Sequence, residues 1–403
     1  MREMFKHQDF QFGYETALGS AYRGYAEVGE VLSTAGRIKD GDADEWVREW
    51  CATAERLEAV AQEAEAAGRR VSARSLYLRA SSYFSTGLYL ITHSGAPGRQ
   101  LDIWRRHRAC WDKLVDLAPV PGERLQVPYE GTTLPGYFFR APGAAPGERR
   151  PLVVMNNGSD GPTSHMGLFG GWAANERGYH WMTVDGPGQR ASLFLNGLPF
   201  RHDWEAVLTP VVHAMAARPD VDADRVALIG ISQGGFWVPR ALAVEHRFVA
   251  AVADPRGGRR VHLLDRAAAR LHARPGPGPV QAGRLRPGDG LDRALLQVDP
   301  GDPALPRRAL RRRWRLALRP LPGGPEVPAR RRGRRHHHSP ADTEPEDEQF
   351  WPGQSQALYD RLPGPKQLVR FTAAEGANRH CEPTGLATRD VRIFDWLDRH
   401  LAA

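Results

Sequence analysis

Apolar positions recur at helical spacing through the first part of the chain. In the stretch "DADEWVREWCATAERLEAVAQEAEAAG", Trp46, Trp50 and Leu57 fall on one face of a predicted helix. Asp42 and Glu45 have the spacing of a capping box at its start. The stretches "SARSLYLRASSYFSTGLYLIT" and "LDIWRRHRACWDKLVDLA" continue the same period. The pattern therefore predicts an N-terminal region of amphipathic helices.

The aromatic residues of this helical region, residues 1–120, have two interpretations. They pack the helices against one another, or some of them cover a substrate pocket. Helix packing is the commoner use of such stripes, so we expect most of these residues in the interior.

From residue 121 the pattern changes to short apolar runs separated by turn residues. The stretch "ERLQVPYEGTTLPGYFFRAP" predicts a hairpin, and "PLVVMNNG", "HWMTVDGPG", "RVALIGIS" and "FVAAVADP" predict buried strands with helical stretches between them. Near the end, "KQLVRFTAAEG" predicts a last strand and "TRDVRIFDWLDRHLA" a closing helix. Strands that alternate with helices predict an α/β fold with a doubly wound, mostly parallel sheet, built from residues 121–254 and 344–403.

One segment interrupts this pattern. Between Pro255 and Pro340 the chain has 21 Arg, no Lys, 13 of its 32 Pro and a single aromatic residue, Trp314. Such a composition cannot build a core. It resembles either a GC-rich gene translated in the wrong frame or a disordered basic insertion. We expect residues 255–343 to be irregular, with the loss of the strand that should precede Glu344.

Charge and cysteine content narrow the function classes. The net charge of +8 comes from the arginine-rich segment, which lacks the aromatic residues that stack on bases, so a non-catalytic nucleic-acid-binding protein is the weaker interpretation. Three scattered cysteines favour a reducing compartment. No leader pattern or apolar run of membrane-spanning length occurs. We expect a cytoplasmic protein with a small-molecule substrate and no nucleic-acid or membrane partner, and a homodimer is the assembly to test.

A candidate nucleophile lies in "VALIGISQGGFW". Ser232 stands between Gly230 and Gly234 in a G-x-S-x-G pattern, after an apolar strand and before the helix-forming stretch "FWVPRALAVEH". In this context the pattern predicts a tight turn that exposes the serine hydroxyl above a helix N-terminus. The alternative, a polar residue in a glycine-rich turn, does not require the strand and the helix.

A serine hydroxyl needs a base, and the base needs an acid. His380 in "AAEGANRHCEP" follows the last predicted strand, where a hydrolase histidine should lie; the alternative is a surface loop histidine. Asp347 and Glu348 in "EPEDEQFWPGQ" have the correct order for the acid. We favour Glu348 over Asp347.

An acyl-transfer site also needs donors for the developing oxyanion. The backbone amide of Gly158 or Ser159, in "MNNGSDGPTSHMG", and that of Gln233 are the candidates. The turn "DGPGQ" lacks the Lys-Ser/Thr ending of a phosphate-binding loop. The run His336–His338 has no supporting ligand spacing, so we expect neither a metal nor a cofactor.

The motifs "NNGSDG", "DGPGQ", "GISQGG", "DEQFWPGQ" and "EGANRHCEP", in this order after a helical region, resemble the α/β-hydrolases related to the fermentation-respiration switch esterase and 2,6-dihydroxypseudooxynicotine hydrolase. The resemblance covers residues 1–254 and 344–403. It implies that the N-terminal helices form a cap over the active site. Members of this group hydrolyse esters or, in some cases, carbon–carbon bonds next to ketones.

Together these observations predict a serine hydrolase that cleaves a carboxylic ester or related acyl bond through an acyl-enzyme. The alternative is a carbon–carbon bond hydrolase that acts on a ketone or a β-diketone-like substrate.

Overall fold

The computed structural model describes residues 3–255, 339–362 and 365–401. The predicted aberrant segment therefore lies outside the described residues, apart from Pro255 and the residues from 339 onward. The predicted order, helices first and then an α/β sheet, is confirmed.

Five helices precede the sheet. They are α1 (Gln8–Gly19), α2 (Val28–Ala35), α3 (Ala43–Ala66), α4 (Arg70–Tyr89) and α5 (Gln100–Leu117). The Asp42 side chain caps α3 by accepting a hydrogen bond from the Glu45 amide. The predicted capping box is wrong in its second half, because the Glu45 carboxylate accepts from the Lys39 amide instead of the Asp42 amide.

The stripes noted in the sequence form the interior of this helical cap. Trp46, Trp50, Tyr83 and Phe84 have no exposed surface and belong to one apolar cluster. These aromatic residues therefore pack the helices against one another, as expected. Glycine permits the closest contact here, since a Cβ on Gly13 would lie 2.8 Å from the Trp46 ring.

Within the described residues the sheet has eight strands: β1 (Glu123–Tyr129), β2 (Thr132–Phe139), β3 (Arg150–Asn156), β4 (His180–Val184), β5 (Val221–Ile231), β6 (Ala250–Asp254), β7 (Ser339–Pro345) and β8 (Gln367–Phe371). Their order is β1-β2-β4-β3-β5-β6-β7-β8. The predicted hairpin β1–β2 is antiparallel, as is β2–β4, and every other pair is parallel. The carboxyl ends of the parallel strands consequently meet at one edge.

The predicted loss of the seventh strand is wrong. Residues 339–345 form β7, which pairs with β6 on one side and with β8 on the other. Its sequence, "SPADTEP", combines two prolines with acidic and hydroxyl side chains, which is why the pattern did not predict a strand. Pairing on both sides and burial of Ala341 in the core override this weak propensity.

Helices cover both faces of the sheet. They are α6 (Trp172–Glu176), α7 (Arg190–Asn196), α8 (Glu205–Ala216), α9 (Gln233–Leu242), α10 (Gln354–Tyr359) and α11 (Leu386–Leu401). Side chains of β5 alternate between the two layers, with Ala227 and Ile229 in one apolar cluster and Val226 and Leu228 in the other. A strand buried on both faces has a continuous apolar sequence, which explains the run before Ser232.

The contact between β2 and β4 gives a stability prediction. A Cβ on Gly136 would lie 2.3 Å from the Thr183 carbonyl oxygen of the neighbouring strand. Gly136→Ala should therefore lower the free energy of unfolding by roughly 1–3 kcal/mol, as overpacking does. The matched control is Gly29→Ala, at an exposed helical position with open space around it. Urea denaturation of both variants checks this; equal stability of the two would contradict the close approach.

Candidate active site

Ser232 lies in a strained turn between β5 and α9. Its backbone has φ 56° and ψ −122°, in the left-handed half of the φ range that a non-glycine residue rarely adopts. Glycine is required on both sides: a Cβ on Gly230 would lie 2.4 Å from the Gly234 carbonyl oxygen, and one on Gly234 would lie 2.6 Å from the Asn156 carbonyl oxygen. The turn predicted from the G-x-S-x-G pattern is present.

A chain of hydrogen bonds joins Ser232 to a histidine and a carboxylate. The Ser232 Oγ lies 2.9 Å from His380 Nε2, and His380 Nδ1 lies 2.9 and 3.0 Å from the two carboxylate oxygens of Glu348. An ionised carboxylate only accepts, so Nδ1 donates to Glu348, and Nε2 is placed to accept from the serine hydroxyl.

The loop after β7 holds the acid and packs the base. The Glu348 carboxylate accepts hydrogen bonds from the amides of Phe350 and Trp351 at 2.8 and 3.0 Å, and the rings of these two residues contact the His380 ring edge-on. Burial opposes ionisation of Glu348, but the His380 ring and the two amides outweigh it and lower the pKa of the carboxyl group. The lowered pKa therefore favours the ionised form of Glu348 where its carboxylate contacts the His380 ring.

Asp347 points elsewhere. It is exposed, its amide donates to the Asn378 carbonyl at 2.8 Å, and its carboxylate accepts from the Asn378 side chain. Of the two acids suggested by the sequence, Glu348 is the one in contact with His380.

The predicted oxyanion donors lie beside Ser232. A Cβ on Gly158 would lie 3.3 Å from the Ser232 Oγ, so the backbone of the loop after β3 passes directly over the hydroxyl. The Gly158 amide itself donates to the Asn157 side chain at 2.7 Å. Ser159 and Gln233 line the same cavity as Ser232, and Gln233 is the first residue of α9, where backbone amides point out of the helix.

Gln189 fixes this loop, a role that the sequence did not predict. Its side-chain amide donates to the carbonyl oxygens of Asn157 and Gly158 at 2.9 and 2.7 Å, and its carbonyl accepts from the Gly186 amide. The "DGPGQ" turn is thus the connection between β4 and α7, and its last residue holds the loop that passes over Ser232.

A cavity of about 230 Å³ opens above Ser232. Its floor comes from the carboxyl edge of the sheet, and its roof comes from the helical cap through Phe12 and Thr16 of α1 and Thr86 and Tyr89 of α4. Phe350 and Trp351 form part of the wall beside His380. The helical cap therefore covers the candidate site. The residues that line the cavity are not those of the aromatic stripes, which fill the interior of the cap.

Metal ions and membranes are two other kinds of binding partner. In this part of the chain no group of three or more His, Cys, Asp or Glu side chains could hold a metal ion. None of the helices within the described ranges has the length and hydropathy of a membrane span. The histidine run His336–His338 lies outside these ranges.

The chain is similar to known hydrolases. The α/β hydrolase gkaG of Penicillium citrinum is 36% identical over 255 residues, which cover 61% of this chain and 59% of that protein. The 20-hydroxy-prefusarin hydrolase FUS2 of Gibberella moniliformis is 34% identical over 263 residues, covering 62% of this chain and 61% of that protein. The solved structure of 2,6-dihydroxy-pseudo-oxynicotine hydrolase aligns with a TM-score of 0.68 at 17% identity and covers 95% of both chains.

These similarities support an α/β-hydrolase superfamily assignment. No protein-family model matches it. The chain spans about three fifths of the length of these curated relatives.

A buried ionic cluster supports the candidate site. Asp254, at the end of β6, accepts the Ser232 amide on its carbonyl at 2.6 Å and the Thr343 hydroxyl of β7 on its carboxylate at 2.6 Å. The same carboxylate pairs with Arg389 of α11, which also approaches Glu382 at 3.5 Å. Asp254 thus connects the nucleophile turn with the strand before Glu348 and with the segment after His380.

The pKa of Glu382 in this cluster is unusual. Asp254, Glu382 and Arg389 have no exposed surface. Burial and the neighbouring Asp254 raise the pKa of Glu382 well above its ordinary 4.5, and Arg389 opposes the rise only in part. The backbone is also strained here, because Cys381 and Glu382 both have positive φ. Glu382 therefore holds its proton more tightly than an exposed glutamate does.

Glu382→Gln should flatten the pH dependence of stability. Folded Glu382 holds its proton more tightly than the unfolded chain does, so stability is lost as the pH rises above about 4.5, by about 1.4 kcal/mol for each pH unit up to the folded pKa. Glutamine cannot ionise and escapes this loss. Unfolding free energies of wild type and variant between acid and neutral pH should diverge in favour of the variant.

Glu375→Gln is the control of opposite sign. Hydrogen bonds from Thr372 and the Arg392 guanidinium lower the pKa of Glu375, so wild type gains stability over this variant as the pH rises. Parallel pH curves for wild type and Glu382→Gln would contradict the raised pKa of Glu382.

Proposed function

We propose that this chain is a serine hydrolase that cleaves a carboxylic ester or related acyl bond. The observation that carries the proposal is the unbroken hydrogen-bond chain from Ser232 through His380 to Glu348, with 2.9 Å at each link. The strained turn supports it, because a glycine-bracketed serine with positive φ serves no packing purpose and exposes its hydroxyl to the cavity.

The first half of the reaction acylates the serine. Ser232 Oγ bonds to the substrate carbonyl carbon while its proton passes to His380 Nε2, and the carbonyl oxygen becomes an oxyanion. When the tetrahedral intermediate collapses, the bond to the leaving oxygen breaks and His380 donates its proton to that oxygen. Glu348 remains ionised throughout and stabilises the imidazolium.

The second half regenerates the enzyme. Water attacks the acyl carbon and gives a proton to His380, and the bond to Ser232 Oγ breaks as that oxygen takes the proton back. The amides of Gln233 and Ser159 are the donors proposed for the oxyanion in both halves. The Gly158 amide is a weaker candidate, since it already donates to Asn157.

A second candidate function is hydrolysis of a carbon–carbon bond next to a ketone, as in a β-diketone-like substrate. The observation that favours it is the polar wall of the cavity, where Arg190 and His165 face the same space as Ser232. Such a reaction expels an enolate instead of an alkoxide, and cationic or N–H donors stabilise that charge. Turnover of p-nitrophenyl esters against β-diketones distinguishes the two functions.

Ser232→Ala should abolish catalysis and covalent labelling. Loss of the nucleophile should reduce turnover of a short-chain p-nitrophenyl ester by roughly 10³-fold or more, with no labelling by a fluorophosphonate and an unchanged circular dichroism spectrum. Ser75→Ala, at an exposed position of α4, is the control and should behave as wild type. Full labelling of Ser232→Ala would rule out Ser232 as the nucleophile.

Glu348→Gln and Asp347→Asn form a matched pair that tests the acid. The side-chain amide introduced by Glu348→Gln would present a donor to His380 and favour the wrong tautomer, so kcat should fall by roughly 10²–10⁴-fold. Asp347 faces Asn378 instead, so Asp347→Asn should change kcat by less than about threefold. His380→Ala should lose at least as much as Glu348→Gln. A larger loss in Asp347→Asn than in Glu348→Gln would reverse the assignment.

A further inference from the structure

Arg190 brings into the wall of the cavity a cation that has no ion-pair contact among the described residues. It is the first residue of α7 and lines the same cavity as Ser232. Within the described ranges its Nη2 donates to the Asp160 carbonyl, and its buried Nε has no acceptor. Asp160 and Asp185 act on it electrostatically, but in this part of the chain neither is in ion-pair contact with it. The guanidinium can therefore donate to a ligand in the cavity.

Arg389 shows that a buried arginine of this protein can have carboxylate partners. Arg389 is also enclosed, and it pairs directly with Asp254 and approaches Glu382 and Asp390. A buried cation without such a partner is costly, and burial accordingly lowers the pKa of Arg190 against the pull of Asp160 and Asp185. An anion that entered the cavity would remove this cost.

Three further polar groups of the same cavity lack hydrogen-bond partners among the described residues. They are the Tyr89 hydroxyl, at the end of α4 in the cap, Nε2 of His165, in the loop after β3, and Nε2 of Gln233, beside Ser232. Burial, and then Arg190, lower the pKa of His165 to about 4, so its ring is neutral. Tyr89, His165 and Arg190 come from three separate parts of the chain. Buried polar atoms are rarely left unpaired, and four around one cavity point to a ligand.

Apolar side chains line much of the rest of the cavity, beside polar ones such as Thr16, Ser85 and Asp160. The apolar set includes Phe12, Met166, Phe169, Phe350 and Trp351. A ligand that fits must therefore combine an apolar or aromatic body with a polar group able to accept hydrogen bonds from a guanidinium.

We propose that Arg190, with Tyr89 and His165, forms a subsite for an anionic oxygen group of the substrate, a carboxylate or an enolate, separate from the carbonyl that Ser232 attacks. This inference rests on the proposed serine hydrolase and specifies its substrate class: an apolar acid or an enolisable diketone. A guanidinium binds two oxygens at once, so the subsite also fixes the orientation of the substrate.

The test uses the full chain and two p-nitrophenyl esters of equal acyl length. One is p-nitrophenyl hexanoate, and the other is the mono-p-nitrophenyl ester of adipic acid, which carries a distal carboxylate. Their binding to Ser232→Ala, which does not turn them over, is measured by titration calorimetry. The adipate ester should bind about tenfold or more tightly, as a charge-assisted contact requires.

A second pair of probes distinguishes the two sources of negative charge. Benzoylacetone forms a stabilised enolate delocalised over its two carbonyls, whereas its α,α-dimethyl analogue lacks the hydrogens between them and cannot. Tighter binding of benzoylacetone identifies an enolate ligand, and tighter binding of the adipate ester identifies a carboxylate; either preference supports the subsite. Equal binding within both pairs would overturn the proposal.

Variants of Arg190 assign the preference to this residue. Arg190→Met, combined with Ser232→Ala, should abolish the preference for the anionic probe, and Arg190→Lys should retain part of it because the charge remains. Arg240→Met is the control, since this arginine pairs with Glu205 on the surface and does not line the cavity. Thermal unfolding would reveal a folding defect in Arg190→Met. In that case Arg190→Lys is the variant that tests the role of Arg190. A preference that survives in folded Arg190→Met would overturn the assignment.

These measurements separate the subsite from the proposed catalysis. Binding to Ser232→Ala does not depend on turnover, so the subsite can fail while Ser232 remains the nucleophile. Conversely, a chain that binds the anionic probes through Arg190 but whose wild type is not labelled at Ser232 would retain the subsite and lose the proposed hydrolase.

Discussion

The backbone at Ser232 is the constraint on which the rest of the site depends. Its positive φ is energetically unfavourable for a residue with a side chain, so the surrounding structure has to impose it. The Ser232 amide is held by the Asp254 carbonyl, and the chain on either side passes so close that only glycine fits at positions 230 and 234. The carboxylate of the same Asp254 binds Thr343 of β7 and Arg389 of α11. Distortion of Asp254 would therefore affect the candidate nucleophile, acid and base together.

Much of this architecture could be predicted from the sequence. The strand before Ser232 is an uninterrupted apolar run because both faces of β5 are buried, and its glycines mark the turn that follows. His380 follows the last strand, so its arrival near Ser232 follows from the order of parallel strands. The sequence favoured Glu348 over Asp347 but could not decide between them. Adjacent loop residues point in different directions, and only the fold determines which one reaches the histidine.

Other features depend on tertiary structure that leaves no local pattern. The strand β7 contains prolines and acidic residues, and it forms because β6 and β8 offer hydrogen bonds on both sides. Arg389 lies in a helix whose amphipathic pattern gives no sign that this charge is buried against Asp254. The polar wall of the cavity has the same character, since Tyr89, His165 and Arg190 are distant in sequence and meet only when the cap covers the sheet.

The central claim is that Ser232 carries an acyl group during turnover, and its direct test is mass spectrometry of the enzyme quenched in acid while it hydrolyses a p-nitrophenyl ester. Peptide mapping of the quenched chain should find the mass of one acyl group on the peptide that contains Ser232, and on the serine itself after fragmentation. Turnover with an unmodified Ser232 peptide, or with the acyl group on another residue, would contradict the account.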